Sequence, residues 1–187
     1  MAIASVSTVR NANWLRTLLF SAVAVTTISL AAQPAMPITV NTYVYDVQGR
    51  LKIACHAPEG AGYRTTYTLD KADNPTNLTS QNYFFGIAAG SGIWSADGRF
   101  YLTMQTDGNF VLWGPSGVLW ATGTNGTGAA AAYFQQDGNL VLYSGSGAVW
   151  ASATHSYCAN LAVQNDGNVV IYSATGAVVW QTGTGGH

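Results

Sequence analysis

Charge is scarce in this chain. Seven Lys and Arg face eight Asp and Glu among 187 residues, and the net charge is −1. No basic stripe exists to neutralise phosphates, which excludes nucleic acid as a partner. Glutamate occurs once, at Glu59. A glycosidase pair would need Asp46 or Asp70 as the second carboxylate, and nothing in the sequence fixes their spacing. Cysteine occurs twice, at Cys55 and Cys158. His56 adjoins the first, but neighbours on a strand point to opposite faces. His155 stands three residues before the second, a metal pair without further ligands. The expectation is a protein that is not an enzyme, with no metal and no cofactor. The uncharged run from Leu18 to Ala32 is shorter than the roughly 20 residues of a membrane-spanning helix.

That run follows Arg10 and Arg16 and ends near Ser29-Leu30-Ala31 and Gln33-Pro34-Ala35. The order is that of a signal peptide, so residues 1–35 are expected to be removed on export. The mature chain would be secreted, extracellular or periplasmic, with no membrane span after cleavage. Export permits a Cys55–Cys158 disulfide closing a loop of roughly 100 residues, which the chain-entropy model values at up to roughly 4–5 kcal/mol. Two free thiols in separate places is the alternative, since sequence alone does not bring them together.

Beyond the leader the chain divides in two. Residues 36–82 hold eight charged residues, four of each sign. The small-residue stretch Phe85–Gly92 reads as a joint. From Ile93 onward the charged residues are Asp97, Arg99, Asp107, Asp137 and Asp166. Three of these belong to a repeated motif, Q-x-D-x-N-x-V-x-(Y/W). It reads Gln105, Asp107, Asn109, Val111, Trp113, then Gln135, Asp137, Asn139, Val141, Tyr143, then Gln164, Asp166, Asn168, Val170, Tyr172. Trp120, Trp150 and Trp180 recur at intervals of 30, so one supersecondary unit is built three times.

Asp-Gly-Asn between apolar runs signals a hairpin. A three-residue loop such as Thr106-Asp107-Gly108 sets Gln105 opposite Asn109, with glycine in the left-handed position. Gln105, Asn109, Val111 and Trp113 then share one face. The opposite face holds Leu102, Met104, Phe110 and Leu112, then Phe134, Leu140 and Leu142, then Leu161, Val163, Val169 and Ile171. A two-residue loop would mix the faces. The expected fold is all-β: three antiparallel sheets about a pseudo-threefold axis, with the three tryptophans in the shared core. A β-trefoil is the main competitor.

In these motif residues the segment from about 83 to 187 resembles the bulb-type mannose-binding lectins, of β-prism II fold. The resemblance implies metal-free binding of mannose or mannose-containing glycans in shallow sites. These would lie at Gln135, Asp137, Asn139, Val141 and Tyr143, and at Gln164, Asp166, Asn168, Val170 and Tyr172. In such a site Asp and Asn take the axial 2-hydroxyl, Gln the 3-hydroxyl and Tyr the 4-hydroxyl, while Val covers a ring C–H patch. Trp113 replaces the tyrosine of the first motif. Indole donates only, so the site at Gln105, Asp107, Asn109, Val111 and Trp113 is expected to be weaker. The family often bonds a cysteine inside one D-x-N to one near Cys158; here that partner is absent, which directs Cys158 toward Cys55. Strand exchange in the family implies a homodimer.

Before the lectin segment, Tyr43-x-Tyr45-Asp46-x-x-Gly49-Arg50-Leu51 resembles the YD repeat of Rhs-type proteins. A degenerate copy stands at Tyr67-x-Leu69-Asp70-x-x-Asp73-Asn74. One and a half copies cannot close a shell, so short β hairpins beside the lectin are expected. The competing functional reading is a structural or bacteriocin- or Rhs-related module that keeps the scaffold with inactive sites.

Overall fold

The computed structural model describes residues 5–9, 40–57, 63–82 and 85–187. The run Leu18–Ala32, both cleavage positions and Glu59 lie outside the described residues. Every regular element among those described is a strand.

The first part is a five-stranded antiparallel meander: β1 (Ser5–Val9), β2 (Val40–Tyr45), β3 (Leu51–Ala57), β4 (Tyr63–Leu69) and β5 (Pro75–Asn82), in that order. The two hairpins expected from the YD-like copies are β2–β3 and β4–β5, and the β3–β4 pairing fuses them into one sheet. Each turn is closed by an aspartate. Asp46 Oδ1 accepts from the Gln48 and Arg50 amides, both at 3.0 Å. Asp70 Oδ1 accepts from those of Ala72 and Asn74, at 2.8 and 2.9 Å. Gly49 has φ 79°, and Asp73, at the same place in the degenerate copy, has φ 67°. The second turn therefore keeps its shape after losing its glycine, since Asp tolerates the left-handed region better than most residues.

The second part is the prism. After β6 (Phe85–Ala88) and β7 (Gly92–Trp94) come β8 (Tyr101–Met104), β9 (Phe110–Gly114), β10 (Gly117–Ala121), β11 (Ala129–Phe134), β12 (Leu140–Ser144), β13 (Gly147–Ala151), β14 (Asn160–Val163), β15 (Val169–Tyr172) and β16 (Val178–Gln181). They form three sheets, ordered β10-β9-β8-β7, β13-β12-β11-β6 and β14-β15-β16. The stretch read as a joint is thus largely structure: Phe85–Ala88 is the outer strand of the second sheet and Gly92 begins that of the first. Its small residues serve close approach. A Cβ at Gly86 would stand 2.9 Å from the Tyr133 ring, and one at Gly92 would stand 2.7 Å from that of Tyr101.

The inner faces follow the period-two pattern. Leu102, Met104, Phe110, Leu112, Phe134, Leu140, Leu142, Val169 and Ile171 are all buried, and Leu161 and Val163 pack partly buried against them. Each fully buried side chain of this size stabilises the fold by about 1.5–3 kcal/mol in transfer terms. The three tryptophans meet edge to face, with ring centroids 5.7, 5.7 and 6.0 Å apart. A register shift in β10, β13 and β16 turns them inward. In the first sheet Val118 pairs with Trp113 on the outer face, yet Trp120 pairs with Leu112 on the inner one, so Leu119 is the bulged residue.

A disulfide joins the two parts: Cys55 of β3 is bonded to Cys158, just before β14, with Cα atoms 5.8 Å apart. Both cysteines are buried with Val44 and Ala174, against Ile53 and Tyr157. Cys158 has φ 65°, where the first repeat has Gly128 at φ 73°. The bridging cysteine thus occupies a backbone position suited to glycine.

Candidate functional site

Each motif is assembled on one hairpin. Met104 pairs with Phe110, and Gln105 N–H donates to the Asn109 carbonyl at 2.8 Å. The same bond is 2.8 Å in the second and third repeats. Gly108, Gly138 and Gly167 have φ of 92°, 80° and 88°, as three-residue loops require. One oxygen of each aspartate closes its turn: Oδ1 of Asp107, Asp137 and Asp166 accepts the N–H of Asn109, Asn139 and Asn168 at 2.9, 3.0 and 3.0 Å. The turn accounts for that oxygen, and Oδ2 remains as a second acceptor.

A set of hydroxyls fixes the asparagines, and inspection of the motif alone misses it. Thr122, Ser152 and Thr182 donate to Oδ1 of Asn109, Asn139 and Asn168 at 3.1, 3.0 and 2.9 Å. Each lies close to the hydroxyl of Thr124, Thr154 or Thr184, at 2.7, 2.9 and 2.8 Å. Those threonines donate to the carbonyls of Gly108, Gly138 and Gly167. With its carbonyl oxygen held, each asparagine presents its NH₂ group as the donor. The sequence signal was available: a hydroxyl residue stands two and four places after each of the three tryptophans.

In the second and third repeats glutamine and tyrosine are joined. Gln135 Nε2 donates to the Tyr143 hydroxyl at 2.9 Å, and Gln164 Nε2 to that of Tyr172 at 2.7 Å. Val111, Val141 and Val170 share the outer-face register with the motif but are only 2, 3 and 2% exposed. They form the floor of each arrangement and leave little surface of their own.

The three repeats then diverge. In the first, Trp113 is 38% exposed and offers Gln105 no hydroxyl. This repeat also has a shallow cleft of about 430 Å³, lined by Gly90, Thr103, Met104, Gln105, Thr106 and Asp107. In the second, Tyr133 packs edge to face on Tyr143 at 5.9 Å. In the third, Asn168 Nδ2 donates to Gln181 Oε1 at 2.9 Å. Position 181 pairs with Val170 as Ala151 pairs with Val141, and an alanine cannot make that bond. Gly186 and His187 amides donate to the Asp166 carbonyl at 2.8 and 3.0 Å, and a Cβ at Gly185 would stand 3.0 Å from Asp166 Oδ2. In the first and second repeats an amide likewise donates to the motif aspartate's carbonyl, from Gly126 to Asp107 and from Ser156 to Asp137. Arg99 donates to the carbonyls of Asn165 and His187 and to Asp97. The Ser95 hydroxyl, then the Arg99 guanidinium, lower the Asp97 pKa to about 2.

Among the described residues no three His, Cys, Asp or Glu side chains gather as a metal site. His56 is exposed while Cys55 is buried. Asp46 is paired with Arg50 at 2.7 Å, and Asp70 closes its own turn.

No family model and no curated protein matches the chain. Solved structures do. A lectin of Marasmius oreades is 38% identical, with 53% of this chain and 85% of that one covered, at a TM-score of 0.50. A monomeric monocot mannose-binding lectin from Gastrodia elata is 42% identical over 54% of this chain and 93% of its own, at 0.49. The mannose-specific agglutinin of snowdrop, Galanthus nivalis, solved with methyl-α-D-mannoside, is 36% identical over 54% and 94%, at 0.42. The YD-like segment finds no support in these comparisons. The matched share is the size of the three-repeat half, and through that half the chain belongs to the bulb-type lectins, with their β-prism II fold.

Proposed function

We propose that this chain is a non-catalytic carbohydrate-binding protein that takes mannose, or a mannose-containing glycan, first at the second repeat. One observation carries the reading. There Gln135 and Tyr143 are joined, Asn139 is clamped through its oxygen by Ser152, and Asp137 uses one oxygen for the turn. A carboxylate oxygen, an amide NH₂ and a phenol are thus set on one hairpin, and no residue of the Gln181 type answers the asparagine. A hexopyranose presents hydroxyls that both donate and accept, which this set complements. The ionised Asp137 accepts, Asn139 donates, and the Gln135–Tyr143 pair reads the neighbouring hydroxyls.

The third repeat carries the same five residues with its asparagine already engaged, and the competing reading of an inactive site fits that repeat specifically. Each site alone is weak, on the order of millimolar or about −4 kcal/mol. Useful avidity then comes from several sites on one branched glycan, or from a homodimer. No metal enters the mechanism. Export by the N-terminal segment, residues 1–35, would place the lectin outside the cell, where such glycans are met, and cleavage there would remove β1 and leave the meander of β2 to β5. Calorimetry with methyl α-mannoside and methyl α-glucoside tests the reading. Preference for the mannoside, lost in Asp137→Ala and insensitive to chelator, is the expected result. Equal binding of both sugars, or binding that survives Asp137→Ala, defeats it.

A further inference from the structure

The outer face of the first sheet carries a feature that the other two lack. Trp94 pairs with Tyr101, Tyr101 with Trp113, and Trp113 with Val118, so one row across four strands holds three aromatic residues. The corresponding row of the second sheet is Ala88, Ala131, Tyr143 and Ala148. In the third it is Asn160, Tyr172 and Val178. These aromatics do not fill the core. Trp94 is 58% exposed and Trp113 is 38% exposed. Nor is Trp94 loose: its ring stacks on that of Tyr101, with centroids 4.3 Å apart and planes 24° apart. Tyr101 in turn lies over Gly92, where a Cβ would meet its ring at 2.7 Å. The glycine makes room for the tyrosine, the tyrosine backs the tryptophan, and the result is a braced indole at the surface.

The row adjoins motif residues. Trp113 is the fifth position of the first motif, and Gln105, the residue after the strand of Tyr101, lines a shallow cleft with Asp107. Tyr101 to Gln105 is four residues, or about 13–14 Å at the strand rise. That is longer than one pyranose ring. A hexopyranose is amphipathic: hydroxyls project around its rim, and its ring C–H groups form apolar faces. When the glycosidic bonds are equatorial, successive rings of a β-linked chain keep those faces in line. An aromatic face carries the negative end of its quadrupole outward and attracts such weakly positive hydrogens.

We infer that the first repeat is an extended oligosaccharide site, in which Gln105, Asp107 and Asn109 hold the hydroxyls of one sugar and Trp113 with the Trp94–Tyr101 stack takes the ring face of the next in a β-linked hexopyranose chain. The replacement of tyrosine by Trp113 is then part of a changed specificity, from a single sugar to a run of sugars. The inference rests on reading the motif as a carbohydrate site, but the aromatic row is an observation independent of the second repeat.

The test uses the full chain and β-1,4-mannotriose, with methyl α-mannoside as the monosaccharide. Indole N–H signals are followed by nuclear magnetic resonance. The trisaccharide should shift those of Trp94 and Trp113 and leave Trp120, Trp150 and Trp180 in place. Trp94→Ala, checked for fold by circular dichroism, should weaken trisaccharide binding at least fivefold and leave methyl α-mannoside binding unchanged. If the variant fails to fold, the wild-type titration decides alone. Unmoved Trp94 and Trp113 signals, or unchanged affinity in a folded Trp94→Ala, overturn the inference. So does a Trp94 signal that changes with protein concentration alone while light scattering shows dimer, because the row would then be an interface between copies. Mannoside binding without any trisaccharide response sinks this site and spares the second repeat. A trisaccharide response at Trp94 with no mannoside binding does the reverse.

Discussion

The second and third repeats carry the same five motif residues on the same hairpin, and their surroundings make them different. Asn139 is held through its oxygen alone by Ser152. Asn168 is held through its oxygen by Thr182, Gly183 and Thr184, and gives its NH₂ group to Gln181. The third repeat also has Gly185 close against Asp166 Oδ2 and the disulfide at its entrance. A motif specifies which groups are present; neighbouring residues decide which of them are already satisfied.

The largest expected effect bears on stability. Cys158 is where the entrance to the third repeat departs from Gly128 at the entrance to the second. Replacing Cys55 and Cys158 by serine should lower unfolding free energy by up to roughly 4–5 kcal/mol, read from denaturant midpoints, while the second repeat still binds sugar in the folded protein. A binding loss equal to the stability loss would show that the two parts are coupled through the site.

Next is the contrast between aspartates. Asp137→Ala removes a charged acceptor worth about 1.5–3 kcal/mol and should weaken methyl α-mannoside binding by one to two powers of ten. Asp166→Ala should change it much less, because its repeat is engaged internally. Equal losses in calorimetry would erase the distinction between the repeats.

Gln181→Ala should sharpen the same distinction from the other side. It frees the Asn168 NH₂ group, and one hydrogen bond of about 1 kcal/mol predicts a severalfold gain at the third repeat. The gain should appear as a second set of shifting signals in a mannoside titration. No gain would mean that Gly185 against Asp166, and not Gln181, limits that repeat.

The smallest effect concerns pH. Asp97 has its pKa lowered to about 2 from 3.8 by the Ser95 hydroxyl and Arg99. A lowered folded-state value stabilises above the unfolded value and is lost as pH falls through the folded one. Melting temperature should therefore gain a small downward component between about pH 4 and 2. Asp97→Asn should remove that component, and an unchanged pH profile would show that the clamp on the third repeat does not depend on this charge.

Alternation of apolar and polar residues, together with Asp-Gly-Asn, determined the inner faces, the three-residue loops and the left-handed glycines. These are local matters, set by a side-chain period of two and by the backbone freedom of glycine. The 30-residue period likewise brought each motif onto its own hairpin. The motif alone, however, left Thr122, Ser152 and Thr182 unread, because the clamp closes from the end of the next strand of the sheet, 13 or 14 residues on and outside the motif. Val111, Val141 and Val170 fall on the outer face by alternation, and only packing shows that they are covered. The tertiary structure also decided that β6 joins the second sheet, that a bulge in each third strand turns its tryptophan inward, and that Cys158 meets Cys55. It alone set Gln181 against Asn168 and lined up Trp94, Tyr101 and Trp113. Each of these depends on strand register and contacts across the chain, which a local pattern constrains but does not choose.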